Sequence, residues 1–165
     1  MTGSEQQREQ REKEKEAAVE CAMQIVSDFI EGMAGISPEE AERKTRQISN
    51  LCEVDDLLPA SFKKTALRQA MELECTANMR QCDLLLRETM RLSVEGKMQE
   101  RTIMLMEARR YFARACQLGA APDWRKAFQR ADETIQMTGN NHRLGDPSRA
   151  KPLEMGSATS GFVKG

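Results

Sequence analysis

Apolar side chains recur at intervals of three and four through most of this chain, the spacing that lines up one side of an α-helix. The pattern starts at Ala17, after a charged run, SEQQREQREKEKE over 4–16, that holds no apolar residue. Cys21, Ile25 and Phe29, with Ala18, Ala22, Val26, Ile30 and Met33, then form one wide inward stripe that Gly32 and Gly35 stop. The charged run is itself rich in helix formers; Ser4 with Gln7 has capping-box spacing, and Glu9 and Lys13 make an i,i+4 pair. SPEE at 37–40 is the clearest local signal: Ser37 caps, Pro38 takes the first helical position and Glu40 completes the capping box. A helix is predicted from Pro38 to about Leu51, with Ala41, Thr45, Ile48 and Leu51 inward. CEVDDLLPAS then reads as a connector, because Pro59 disfavours helix in the residue before it.

From Ala60 to Ser93 no proline or glycine occurs, enough for about 50 Å of helix at 1.5 Å per residue. One stripe runs Leu67, Met71, Cys75, Met79, Cys82, Leu86, Met90, and a second runs Ala66, Ala70, Leu73, Ala77, Leu84. Two apolar faces require neighbours on more than one side, so this helix should be the spine. Gly96 breaks the pattern and is read as a reversal. A further helix spans Lys97 to Leu118 with Gly119 as its stop, its inward positions being Met98, Ile103, Leu105, Met106, Phe112, Ala115 and Cys116. The last helix starts at Pro122 and ends before Gly139, with Trp124, Phe128, Ala131 and Ile135 in line.

The predicted fold is all-α: about five helices in a bundle or short array of helical hairpins, around a long central helix. A charged N-terminal extension (1–16) precedes the helical domain (17–138), and a disordered, flexible C-terminal tail (139–165) follows it. Ala108, Phe112 and Ala115 share the spacing of the second helix of a tetratricopeptide repeat, and Gly96 sits where such a repeat carries its glycine. Pro122 falls late for that pattern and no further unit follows, so the spacing is read as general helix pairing and no family is assigned.

Composition changes this picture little. Apolar residues at 39% and charged residues at 31% imply exposed helical faces on a single domain. A net charge of −1 provides no global field toward nucleic acid or anionic lipid. The charge is uneven: residues 17–59 carry three basic and nine acidic side chains, net −6, and residues 60–118 carry eleven and seven, net +4. The N-terminus lacks the apolar segment of a secretory signal, and no run approaches the roughly 18 apolar residues of a membrane span. A cytoplasmic location with reduced thiols is therefore expected, in keeping with an odd count of five cysteines.

The stretch CTANMRQCDLLLRETM raises the question of thiol chemistry. Cys75 and Cys82 lie on one helical face about 10.5 Å apart along the axis. A disulfide needs α-carbons within roughly 7 Å, and zinc–sulfur bonds are about 2.3 Å, so these two can share neither while the helix is intact. Cys21, Cys52 or Cys116 could be brought against them in a bundle, which keeps a redox or metal sensor as an alternative. Against it, no CxxC pair occurs, the single histidine, His142, lies in the predicted tail, and Cys21, Cys75, Cys82 and Cys116 sit on otherwise aliphatic stripes. Core packing is the reading adopted, with no metal and no cofactor. Catalysis is poorly supplied: one histidine cannot build a di-iron bundle site, and GNNHRLG lacks the lysine of a phosphate loop. No enzyme is expected.

Two surfaces invite partners. Arg109, Arg110 and Arg114 near Tyr111 and Phe112, with Arg125, Lys126 and Arg130 around Trp124, suggest nucleic-acid binding through the last two helices. The leading reading is different. Eleven methionines against seven aromatics suit an adaptable surface, and neither TIMLMEA nor Leu84 to Leu86 can bury all its apolar side chains on one stripe. A non-enzymatic protein–protein interaction module is predicted, an adaptor, chaperone-like or regulatory subunit that contacts a protein partner or itself through Leu85, Met104, Met106 and Arg110.

Overall fold

The computed structural model describes the backbone of residues 2–144 and the side chains of residues 2–138. Five helices follow one another: α1 (Gly3–Glu31), α2 (Pro38–Val54), α3 (Ala60–Val94), α4 (Met98–Gln117) and α5 (Pro122–Leu144). No strand occurs among the described residues. The chain is all-α, with a central helix of 35 residues.

The helix ends explain the boundaries. α1 takes in the charged run, and its cap is Thr2 rather than Ser4, which lies inside the helix. Thr2 Oγ1 accepts from the Glu5 amide at 3.3 Å while Glu5 Oε2 accepts from the Thr2 amide at 3.1 Å, so the reciprocal box forms two residues upstream of the expected one. Ser37 Oγ accepts from the Glu40 amide at 3.2 Å, with Pro38 at the first turn as expected. The reciprocal half of the predicted box does not form, and Glu40 Oε2 lies 3.5 Å from Arg43 Nη2 instead. α2 then runs three residues past Leu51 to Val54, because Pro59 constrains only the residue before it. α5 passes Gly139 and reaches Leu144, an interior glycine being a cost of about 1 kcal/mol and not a barrier. The tail predicted over 139–165 otherwise lies outside the described residues.

Gly96 and Gly119 close α3 and α4 in the same way, with φ of +75° and +94°. Lys97 N–H donates to Leu92 O and Gly96 N–H to Ser93 O, the paired bonds of a Schellman cap; Ala120 to Ala115 and Gly119 to Cys116 repeat them. Gly96 is a reversal: Arg114 meets Glu74, whereas forty residues of unbroken helix would hold them about 60 Å apart.

The chain divides into two compact units, Met1–Asp83 with Arg109–Ala121, and Leu84–Ala108 with Pro122–Gly165. In the first unit, Val26 of α1, Met33 of the turn after it, Ala41, Ile48 and Cys52 of α2, and Ala66, Ala70 and Ala77 of α3 form one buried cluster. Small side chains bring α2 and α3 close: Thr45 Oγ1 donates to Ala41 O at 2.9 Å and lies 3.5 Å from Ala70 O on the facing helix. Cys52, placed in the connector from sequence, belongs to this core. Cys21 and Ile25 depart from the predicted stripe and are exposed, because Ala22, Val26 and Phe29 take the inward side of α1. In the second unit Leu86, Leu92, Leu105, Ala108, Phe128 and Ile135 are buried, and Arg101 Nη1 donates to Ile135 O at 2.8 Å. Arg91 bonds both Glu88 and Glu95 at the exposed end of α3, holding both carboxyls below their ordinary range, but solvent-screened pairs of this kind add little to stability.

A Cβ at Gly119 would meet nothing within 4 Å, so Gly119→Ala tests backbone conformation alone. It should lower unfolding free energy by about 1–2 kcal/mol in urea titration with an unchanged m-value.

Candidate functional site

The polar interior of the first unit is the first place to look for chemistry. Glu74 is 0% exposed. Its Oε2 accepts from Arg114 Nε at 2.8 Å and Nη2 at 2.7 Å, and its Oε1 has no hydrogen-bond partner. The backbone is engaged as well: Asn78 Nδ2 donates to Glu74 O at 2.9 Å. Next to it, Cys75 Sγ donates to Ala115 O at 3.5 Å and lies 3.8 Å from Met79 Sδ. Burial pushes the Cys75 thiol up, with Cys116 and Glu74 adding to the effect. Burial pushes Cys82 further, to about 12, with Asp83 and Cys116 adding to it. Cys52 is raised by burial too, against a lowering pull from Lys63.

A thiolate is the nucleophile, and the raised values keep these three sulfurs protonated near neutral pH. All five cysteines are free, and among the described residues no three His, Cys, Asp or Glu side chains gather to hold a metal ion. The arrangement around Cys75 is that of packed small hydrophobes beside an ion pair whose carboxylate is buried and whose guanidinium is partly exposed.

The predicted contact residues are distributed over both units. Leu85 and Met104 are half-buried in the second unit, and Met106 there is 62% exposed. Arg110 is exposed and belongs to the first unit, its guanidinium 4.5 Å from the Tyr111 ring centre. Met106 and Ile103 were both expected inward; Ile103 is 63% exposed. The reason is angular. Leu105, Ala108, Phe112 and Ala115 make the inward row of α4 at spacings of three and four, which turns both Ile103 and Met106 to the opposite side, about 160° and 140° away. Leu84, Met90 and Val94 on the last turns of α3 are exposed as well. No protein-family model, curated protein or solved structure matches this chain. The site must therefore be argued from its residues.

The basic and aromatic residues proposed for nucleic acid are also divided. Arg109, Arg110, Tyr111, Phe112 and Arg114 fall in the first unit, and Trp124, Arg125, Lys126 and Arg130 in the second. Arg114 is held by Glu74, and Tyr111 Oη donates to Glu39 Oε2 at 2.5 Å. Among the described residues no helix is long and apolar enough to cross a membrane. Sequence reasoning missed Glu74 altogether; the one signal was an acid flanked by Leu73 and Cys75 in a window otherwise read as apolar.

Two measurements follow from this geometry. Arg114→Met leaves a buried carboxylate without its cation and should cost about 2–4 kcal/mol in urea unfolding, while Glu74→Met with Arg114→Met should recover most of that loss. A double variant whose loss equals the sum of the separate Glu74→Met and Arg114→Met losses would show that the pair is not coupled. For Cys82, the folded chain retains a proton above pH 9 that the unfolded chain releases, so stability falls as pH rises, by up to about 1.4 kcal/mol per pH unit. Cys82→Ala should flatten the slope of unfolding free energy between pH 9 and 10.

Proposed function

We propose that this chain is a non-enzymatic helical protein–protein interaction module, an adaptor, chaperone-like or regulatory subunit. The supporting observation is the uncovered apolar surface of the second unit. Single exposed aliphatic residues are ordinary, but Leu84, Met90, Val94, Ile103 and Met106 are all exposed within one short stretch of chain. Ile103 and Met106 stand at i and i+3, neighbours on one helix surface, and Met104 and Leu85 are half-buried residues of the same unit. Methionine adds side-chain adaptability that suits a contact surface.

A nucleic-acid reading draws on a reduced set of cations, since Arg114 is engaged by a buried carboxylate. Phosphate contacts would make any binding weaken steeply with salt, so a gel shift across salt concentrations with Arg110→Ala and Arg125→Ala separates it from the leading reading.

The test of the module is association. The native chain should dimerise or retain a partner through purification, read by light scattering and pull-down. Ile103→Glu with Met106→Glu should weaken that association about tenfold or more, about 1.4 kcal/mol, without loss of helical ellipticity. A monomer that retains nothing would end the proposal.

A further inference from the structure

A separate surface lies in the first unit, along the edge where α1 meets the C-terminal end of α2. Ala18, Cys21, Ala22 and Ile25 stand at i, i+3, i+4 and i+7 on α1, and with Leu51 of α2 and its C-cap residue Asp55 they line a groove of about 270 Å³. Ile25 is 48% exposed in it. Val54, 76% exposed, stands at i+3 from Leu51 and extends the same side of α2. The volume is below the roughly 300–1,000 Å³ of small-molecule sites, and an open, apolar furrow between two helices matches the mode in which a third helix lays in a side chain.

Charge identifies the visitor. α2 ends beside the groove with no basic residue in its own last turn, although Lys63 of α3 acts on Cys52 there. Glu53, Asp55 and Asp56 cluster at that end. Residues 17–59 carry only three cations against nine acids; Arg43 is 3.5 Å from Glu40, and Lys44 lies over the Phe29 ring at 5.4 Å. Asp55 Oδ1 accepts from the Leu57 amide at 2.9 Å, which fixes the carboxylate at the mouth of the groove.

We infer that this groove docks a basic amphipathic helix of a partner protein, which sets one or two large apolar side chains against Ala18, Ala22 and Leu51 and a lysine or arginine beside Asp55. The inference widens the interaction reading to a second surface that shares no residue with Ile103 and Met106, so each can fail without the other.

Cys21 provides the reporter, being exposed and in the lining while Cys52, Cys75 and Cys82 are buried. The full chain is alkylated with iodoacetamide, with and without a synthetic leucine–lysine helix of about 18 residues, and the thiols are read by peptide mass spectrometry. The lysine peptide should slow Cys21 alkylation and leave Cys116 unchanged. Asp55→Asn and Ile25→Glu should each weaken that protection about tenfold with helical ellipticity retained. A peptide with glutamate in place of lysine should protect far less. Equal protection by both peptides, or by neither, would overturn the inference, as would an Asp55→Asn variant that protects like the native chain. Protection of Cys21 that rises with protein concentration alone would assign the groove to a second copy and also overturn it. So would loss of peptide protection in the Ile103→Glu, Met106→Glu variant, which would move the binding to the other unit.

Discussion

The close approach of α2 and α3 is the constraint on which the first unit depends. Alanines at 41, 66, 70 and 77 remove the side-chain bulk that ordinarily keeps helix backbones apart, until the Thr45 hydroxyl sits 3.5 Å from the Ala70 carbonyl across the contact. Helix stability in proteins comes mostly from such packing and less from propensity. The contact also sets the rotation of α3 about its axis. With Ala66, Ala70 and Ala77 turned toward α1 and α2, a step of about 100° per residue turns Cys75 and Cys82 to another side, where the Ala115 carbonyl of α4 receives the Cys75 thiol.

Glu74 and Asn78 occupy the sector between those two faces. Neither can reach solvent, so each must find its partners inside. Asn78 returns to the Glu74 carbonyl one turn back, and Glu74 takes the guanidinium of Arg114. A buried pair of this sort adds little net stability compared with apolar residues of the same size, but it is unforgiving about register. Sliding α4 by one turn would separate the two charges by about 5.4 Å and leave the carboxylate stranded. The alanine contact holds α3 against α1 and α2, and the ion pair selects which turn of α4 lies beside it.

Much of this was legible in the chain. SPEE marks a helix start unambiguously because cap, proline and acid act at one place, and the breaker-free run from Ala60 leaves a long helix as the only economical reading. Gly96 and Gly119 were legible because a left-handed residue ends a helix cheaply only at glycine. What the spacing could not give is which edge of a wide apolar stripe stays wet. Ile25 and Val26 are adjacent and equally apolar, and only the position of α2 buries the second. The same ambiguity misplaced Ile103 and Met106. Surplus apolar side chains around Met104 and Met106 could be read as surface to be covered, but the groove could not, because it exists only where two helices meet. Glu74 was illegible for a simpler reason: an acid in a sequence gives no sign of its counter-charge forty residues away.

The first turns of α1 have a different character from everything after them. Residues 3–17 are exposed on every side, yet they are helical, sealed by the Thr2–Glu5 box at one end and continuous with the packed turns at the other. Their order is on loan from the part that is buried. Amide protons along this rod should exchange in a gradient, fastest at the tip and slowest where Val26 enters the core, and far-ultraviolet spectroscopy will count as structure about four turns that contribute nothing to cooperative melting.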